Sequence, residues 1–359
     1  TNSLGRLGTG VWLAGADTAL SATVFDIKSA HVGIDNRGGS VTLVDGVIQT
    51  NGAGAHGLYA SREVGTAATF DITRTELNTQ GDSAAGVMLR LSGSSVVLRE
   101  SRITTQGTNA EGLRALSPGT SIVATDSVVN TTGTNAAGVL IHNSAAATLN
   151  NTRVSSAGAG ASGIWSFVNF TGKINTATIA NGSQIDTQDG VALFASGAGQ
   201  QATTGLHTFM ASDAIITART GGDAHRGVLL RSDIYSAAPD GTSAGIDTAE
   251  VKLNAVRSTL SGDVVAYRGT VGVTLADRSV LTGALVQLAA STVNGVALDA
   301  SSIWNVRGDS VATTLSNAGT VAFMAPVNGT DFKTVTVNNY IGGGTLVINT
   351  RLGGDASAT

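Results

Sequence analysis

The sequence predicts an all-β solenoid of the parallel β-helix type, and three observations predict it. One apolar position recurs at steps of 26, 26 and 25 residues: Leu77, Ile103, Val129 and Val154. One glycine recurs at the same steps: Gly86, Gly112, Gly138 and Gly163. Between these positions apolar and polar residues alternate, which is typical of strands with one buried face. A fixed period of this length indicates repeats that bury their apolar side by stacking on their neighbours.

Each repeat contains two short strands and a turn. In the first clear repeat, Phe70 and Ile72 alternate with polar residues, and Val87 and Leu89 do the same after the recurring glycine. Residues 79–81 lie between them and are turn formers, with a glycine that can supply a positive φ. Such repeats, stacked in register at about 4.8 Å, give roughly a dozen coils and a rod about 60 Å long.

The repeat can be followed along most of the chain. Residues 1–40 form less regular coils, and 41–60 fit the repeat well. After Val154 the apolar position continues with altered steps: Ile185, Ile216, Leu260, Leu281 and Ile303. The longer steps indicate insertions, chiefly 197–207 and 231–249, which leave the solenoid as protruding loops.

The longer insertion is a candidate binding loop, because loops that leave a solenoid often carry its binding residues. Its candidate residues are Arg231, Asp233, Tyr235 and Asp240. A solvated loop without a ligand is the alternative interpretation.

The composition excludes several classes of function. The net charge of −4 argues against a nucleic-acid partner. There is no cysteine, so neither a disulfide framework nor thiol chemistry is expected. The five histidines are scattered without paired ligand spacing, so neither a metal nor another cofactor is expected. No apolar run reaches the roughly 18 residues of a membrane-spanning helix.

The C-terminal part carries a more specific pattern. Its segments are, in order, Ile303-Trp304-Asn305-Val306, Gly308-Asp309-Ser310, 315–323, 332–340 and 344–350. This series resembles the junction in pertactin-like autotransporter passengers where the β-helix closes and the autochaperone region begins. We therefore divide the chain into a β-helical stalk, 1–292, and C-terminal coils leading into the autochaperone region, 293–359.

The resemblance implies a type V secreted protein of Gram-negative bacteria. Such a passenger crosses the outer membrane through its own C-terminal barrel, which is absent from this sequence, and folds outside the cell as a right-handed β-helix. The C-terminal coils are expected to nucleate that folding. Since the sequence starts at Thr1 without a signal peptide, we expect it to be a processed or cloned fragment.

The family also includes proteases and lipases, and other β-helices cleave polysaccharides. We predict no catalytic residue, because Gly308-Asp309-Ser310 lacks the glycine that follows a protease serine and lies in the junction pattern. Carboxylates at Asp71, Glu100 and Asp126 lie in neighbouring repeats near arginines, and solvated surface charge explains them better than a glycan-cleaving site. Arg307-Gly308-Asp309 is a possible integrin-type tripeptide, although the pattern needs a turn there.

The feature with most bearing on function is an outward column on the strand after the recurring glycine. If the first and third residues of that strand point inward, the middle residues point outward: Tyr59, Met88, Arg114, Leu140, Trp165, Ala192 and Leu229. An exposed ribbon of this composition is typical of an interaction surface. Coverage by loops, or inverted facing of the strand, is the alternative.

These features together predict a non-enzymatic adhesin at the cell surface. Its partner is expected to be another copy of the chain, giving bacterial aggregation, or a host surface or matrix glycoprotein. The alternative is a β-helix that binds or cleaves glycans.

Overall fold

The computed structural model describes residues 8–61, 66–197, 205–220, 227–234, 250–326 and 329–350. Within these ranges the chain forms 34 β-strands joined by turns. Membrane-spanning helices are not found among the residues described. Successive coils pair through parallel strands only, so the predicted parallel β-helix is confirmed.

The strands form three parallel ladders. The first contains β2 (Ala19–Thr23), β5 (Ser40–Val44), β8 (Thr69–Thr73), β11 (Ser95–Arg99), β14 (Ser121–Thr125), β17 (Ala146–Asn150), β20 (Ile174–Ala180), β22 (Leu206–Ser212), β25 (Glu250–Val256), β31 (Ser310–Asn317) and β33 (Val335–Ile341). The second contains β3 (Asp26–Ser29), β6 (Val47–Thr50), β9 (Glu76–Thr79), β12 (Arg102–Thr105), β15 (Val128–Thr131), β18 (Arg153–Ser156), β23 (Ile215–Thr220), β26 (Thr259–Ser261), β28 (Val280–Gly283), β30 (Ile303–Val306), β32 (Thr320–Phe323) and β34 (Thr345–Val347). The third contains β1 (Val11–Ala14), β4 (Ile34–Arg37), β7 (Leu58–Ala60), β10 (Val87–Leu89), β13 (Leu113–Ala115), β16 (Val139–His142), β19 (Ala161–Val168) and β24 (Val228–Ile234).

Three long strands pass from one ladder to the next: β21 (Gln184–Gly197), β27 (Asp263–Ala276) and β29 (Leu285–Leu298). The first joins the second and third ladders, and the other two join the third and first. The predicted division at 292/293 falls inside β29. With β21 included, the second ladder has 13 strands, which agrees with roughly a dozen coils.

The recurring apolar position forms the centre of the second ladder. Its predicted members from Ile48 to Leu281 lie in one column and are buried. The last member was predicted wrongly: Trp304, not Ile303, pairs with Leu281. Ile303 and Trp304 are adjacent, and a slip of one residue exchanges the two faces of a strand. The buried indole is accommodated because its Nε1–H donates to the carbonyl of Gly283 at 3.0 Å.

The recurring glycine is explained by contact between coils. A Cβ on Gly86 would lie 2.4 Å from a γ-carbon of Ile103, the apolar column residue of the next coil. The same relation joins Gly112 to Val129 at 2.3 Å and Gly138 to Val154 at 2.2 Å. Each glycine therefore leaves the room that a branched side chain of the neighbouring coil fills.

A ladder of buried hydroxyl groups runs along the corner before the second ladder. The Oγ of Ser101 accepts the backbone N–H of Thr75 at 3.1 Å, and its own N–H donates to the Oγ of Ser127 at 3.1 Å. Thr152 and Ser183 continue the series. These hydroxyls satisfy backbone groups at a corner where the strand ladder is interrupted.

Replacing one of these hydroxyls should destabilise the fold. We expect Ser101→Ala to lower the free energy of unfolding by about 2 kcal/mol, because the buried N–H of Thr75 loses its acceptor. Thr104→Ala, on the outward face of β12, should cost less than about 0.5 kcal/mol. Urea denaturation of both variants measures the difference, and equal midpoints would contradict the role of the ladder.

Candidate functional site

The predicted outward column lies on the third ladder. Tyr59, Met88, Arg114, Leu140 and Trp165 are consecutive partners in β7, β10, β13, β16 and β19, as the repeat predicted. They alternate with core residues such as Val87 and Leu89 and lie outside the core cluster themselves, so their side chains point away from the core. The column is not continuously exposed, however, since Met88 is 5% and Leu140 4% exposed.

The continuation of this column was predicted wrongly. Leu229 and Ala192 are fully buried core residues, and the partners that follow Trp165 are Phe194 and Arg231. The prediction places Gly190 and Gly227 at the recurring glycine position and therefore takes the residues two positions later, Ala192 and Leu229, as outward. Ala192 in fact occupies the glycine position, since the Cβ of Gly163 would meet its carbonyl at 2.6 Å, and Leu229 follows it in register.

Part of the column forms the floor of a lateral groove that encloses about 1360 Å³. Arg114, Leu140 and Trp165 lie on the floor, together with His142 and Phe167 from the neighbouring outward column. The lining residues come from the four coils that contain β10, β13, β16 and β19, so the groove spans about 14 Å of the rod. Four other cavities among the described residues enclose 340–410 Å³ each, and we take the groove as the candidate binding site.

One wall of the groove is a short insertion after β19, residues 169–173. The side chain of Asn143 holds it against the preceding coil, because its Nδ2–H donates to Oδ1 of Asn169 and its Oδ1 accepts the backbone N–H of Asn169 at 3.0 Å. Phe170 and Lys173 from this insertion line the groove, and Phe170 is 59% exposed. The sequence signal of this insertion is the 31-residue step from Val154 to Ile185. The predicted insertions, 197–207 and 231–249, did not include it.

Aromatic rings continue from the groove along the rod. Trp165 stacks on Phe194 at 5.7 Å and meets Phe167 edge-on at 6.0 Å between ring centroids. Its Nε1–H donates to the Oγ of Ser196 at 2.7 Å. The guanidinium of Arg231 then lies 4.4 Å from the ring centre of Tyr267. The indole of Trp165 is therefore fixed in orientation while remaining partly exposed.

The groove carries an excess of positive charge. Arg114 pairs with the buried carboxylate of Glu111 at 3.1 Å, whereas Arg90 and Lys173 form no ion pair with a described residue.

Burial lowers the pKa of His56 to about 4, and the charges of Arg114 and Arg90 add to that effect. Burial raises the pKa of the Glu111 carboxyl, against the attraction of Arg114.

His142 on the groove floor is neutral near pH 7. Its Nδ1 lies 3.1 Å from the carbonyl of Leu116, to which it must donate, and its Nε2 accepts from Asn143 at 3.0 Å. Burial lowers its pKa, and the charge of Arg114 lowers it further, against the effect of the Leu116 carbonyl. The cationic character of the groove therefore comes from its arginine and lysine side chains.

The structure places part of the predicted binding loop. Arg231 and Asp233 lie at the end of β24 and form an ion pair at 2.6 Å. Arg231 belongs to the outward column because it is the strand partner of Phe194. Tyr235 and Asp240 lie outside the described residues.

The Arg307-Gly308-Asp309 tripeptide makes contacts within the fold at both charged ends. Arg307 donates to the carboxylate of Asp263 at 2.7 Å, and Asp309 accepts from the backbone N–H of Thr334 at 2.9 Å. Ser310 is likewise engaged, since its Oγ accepts from the N–H of Leu285 at 3.0 Å. These contacts favour the turn interpretation over a receptor ligand.

The carboxylates considered for glycan cleavage lie elsewhere on the surface. Glu100 and Asp126 are exposed corner residues with positive φ, and Asp71 pairs with Arg99 on the outer face of the first ladder. A group of three or more metal-ligating side chains is not found among the residues described.

The fold is similar to that of a protein of known structure. No protein family model matches the sequence, and no curated protein does. The parallel β-helix is nevertheless the fold that the resemblance of the C-terminal segments implied. It is similar to the crystal structure of the autotransporter UpaB from E. coli strain CFT073, with a TM-score of 0.55 and 16% identity. The match covers 94% of this chain and 87% of that chain, and at this identity it concerns the fold.

Proposed function

We propose that this chain is a passenger displayed at the surface of a Gram-negative cell, where it acts as a non-catalytic adhesin. The observation that carries the proposal is the lateral groove, whose lining includes an oriented, partly exposed tryptophan and two cations that form no ion pair with a described residue. Aromatic and arginine side chains are the types that dominate binding surfaces. The groove lies on the side of a stiff rod, a position accessible to a partner on an opposing surface.

A non-catalytic role is supported by the carboxylates of the groove. Glu111 is the one carboxylate among its lining residues, and it is buried against Arg114. Glycoside hydrolysis ordinarily requires two carboxylates flanking the scissile bond. The alternative, glycan cleavage, predicts new reducing ends when the protein is incubated with polysaccharides, and we expect none.

Adhesion should depend on Trp165. We expect beads coated with Trp165→Glu protein to bind epithelial cells, matrix and beads carrying the same chain at least about tenfold less than wild-type beads, since a carboxylate cannot replace the aromatic face. Ile215→Glu is the matched control, because Ile215 is exposed on the second ladder, away from the groove. Adhesion of the Trp165 variant at the wild-type level would refute a role for the groove.

Sedimentation velocity separates the two classes of partner. Dimers that form with rising concentration in the wild type and are lost in Trp165→Glu would identify a second copy of the chain as the partner. A monomer in both proteins, together with Trp165-dependent adhesion to cells or matrix, would identify a host molecule.

A further inference from the structure

We propose that the groove binds an acidic polysaccharide, with sugar rings packed on Trp165 and carboxylate or sulfate groups contacting Arg90 and Lys173. This inference rests on the proposed adhesive function and names the class of ligand for the same groove.

The shape of the groove fits an extended chain. Its volume of about 1360 Å³ exceeds the range of about 300–1,000 Å³ that is usual for small-molecule sites. It is elongated along the rod, because its lining residues come from four successive coils. Stacked parallel strands repeat the same surface at each coil, and a polymer of similar units matches such a surface.

The charge of the groove is local and sparse. The whole chain has a net charge of −4, yet Arg90 and Lys173 bring to the groove two positive charges that form no ion pair with a described residue. They lie on the first and last of its four coils, about 14 Å apart along the rod. One strand of a B-form DNA duplex would bring about four phosphates over that length. A polysaccharide with one acidic group in every few sugars matches two cations better.

The remaining surface matches the chemistry of a sugar. A pyranose ring has an apolar C–H face and a rim of hydroxyl groups. Trp165 offers an aromatic face whose orientation is already fixed by Ser196 and Phe194, so little entropy is lost on binding. Side chains able to exchange hydrogen bonds with hydroxyls line the rest of the groove: Ser83, Ser92, Asn109, Ser117 and Asn143.

The test is binding of defined polymers to the whole chain, measured by biolayer interferometry. The probes are hyaluronate, with one carboxylate per two sugars, kappa-carrageenan, with one sulfate per two sugars, neutral dextran and a double-stranded DNA oligonucleotide. We expect one or both acidic polysaccharides to bind at least about tenfold more tightly than dextran and the oligonucleotide. Preference for hyaluronate would identify carboxylates as the recognised group, and preference for kappa-carrageenan would identify sulfates.

Variants locate the binding. Trp165→Ala should weaken acidic-polysaccharide binding about tenfold. The double variant Arg90→Ala, Lys173→Ala should weaken it and flatten its dependence on salt. Glu111→Gln should strengthen it, because one negative charge leaves the groove. Ile215→Ala should bind as the wild type does, and unchanged melting temperatures would show that the variants are folded.

Three results would overturn the inference: equal binding of neutral dextran, tighter binding of the oligonucleotide, or acidic-polysaccharide binding that is insensitive to Trp165 and to both cations. The bead assay separates these outcomes from failure of the adhesive function. If adhesion depends on Trp165 but no acidic polysaccharide binds, the adhesin proposal stands and the ligand class is wrong. If adhesion is also insensitive to Trp165, both proposals fall.

Discussion

Gly112→Ala is expected to lower the free energy of unfolding by about 3 kcal/mol, the upper part of the range for inserting a methyl group into a packed core. The added Cβ would lie 2.3 Å from Cγ1 of Val129 and 2.7 Å from the carbonyl oxygen of Gly138. The first atom belongs to a fully buried side chain and the second to the backbone of the next coil. Neither can move without displacing the stacked coil, so the overlap cannot be relieved by a side-chain rotation alone.

Gly272→Ala is the matched control. Gly272 lies in β27 on the outward face, and a Cβ there would meet no atom within 4 Å. Its substitution should leave stability unchanged or raise it by less than about 1 kcal/mol, since alanine restricts the unfolded chain. Urea midpoints of the two variants, with unchanged slopes, measure the difference. Equal midpoints would show that the recurring glycine is not required by contact between coils.

The central coils could be predicted from the sequence because they obey one period. Between Ile48 and Leu281 every predicted member of the apolar column lies where expected, even across insertions. This column has a strict requirement, namely a branched side chain pointing into a narrow core. The requirement weakens near the C-terminal end, where Trp304 rather than Ile303 fills the interior.

The candidate site was less predictable than the core. Met88 and Leu140 point outward yet are covered, because exposure depends on neighbouring turns that follow no period. Phe194 was not predicted because the outward residue is located by its distance from the recurring glycine, and Ala192 stands at that glycine position in this coil. Arg90 and Lys173 lie on turns, and only the stacking of four coils brings them to one groove. A period locates the strands, whereas a site assembled from turns requires the three-dimensional structure.

Acid lability is the second large effect, and His207 is one of two buried histidines that are expected to cause it. The side chain is fully buried in β22, its Nδ1 lies 2.7 Å from the Oγ of Ser166, and its Nε2 has no hydrogen-bond partner within the described structure. Burial lowers its pKa from 6.5 to about 4. His56 is similar: its pKa is also lowered to about 4, and its Nδ1 accepts the N–H of Ala85 at 3.0 Å, which protonation would prevent.

The sign of the effect follows from proton uptake. Above pH 6.5 both states are neutral at these histidines, and stability is at its full value. Between pH 6.5 and about 4 these histidines are protonated in the unfolded chain but remain neutral in the folded chain, so stability falls as the pH is lowered. Each histidine then costs about 1.4 kcal/mol per pH unit, or on the order of 3 kcal/mol across the window. Below about pH 4 the folded state is protonated as well, and this contribution stops changing.

His207→Val tests this account, because Val251 occupies the same position in the next coil and the interior already accepts that side chain. We expect the free energy of unfolding of the variant to fall less steeply between pH 6.5 and 4. The slope should decrease by about 1.4 kcal/mol per pH unit, which corresponds to one proton. His31→Val is the control, because it removes a histidine that is exposed rather than buried. Urea denaturation at half-unit pH intervals gives both slopes. A His207→Val curve parallel to that of the wild type would place the acid sensitivity elsewhere, with His56→Val as the next variant to measure.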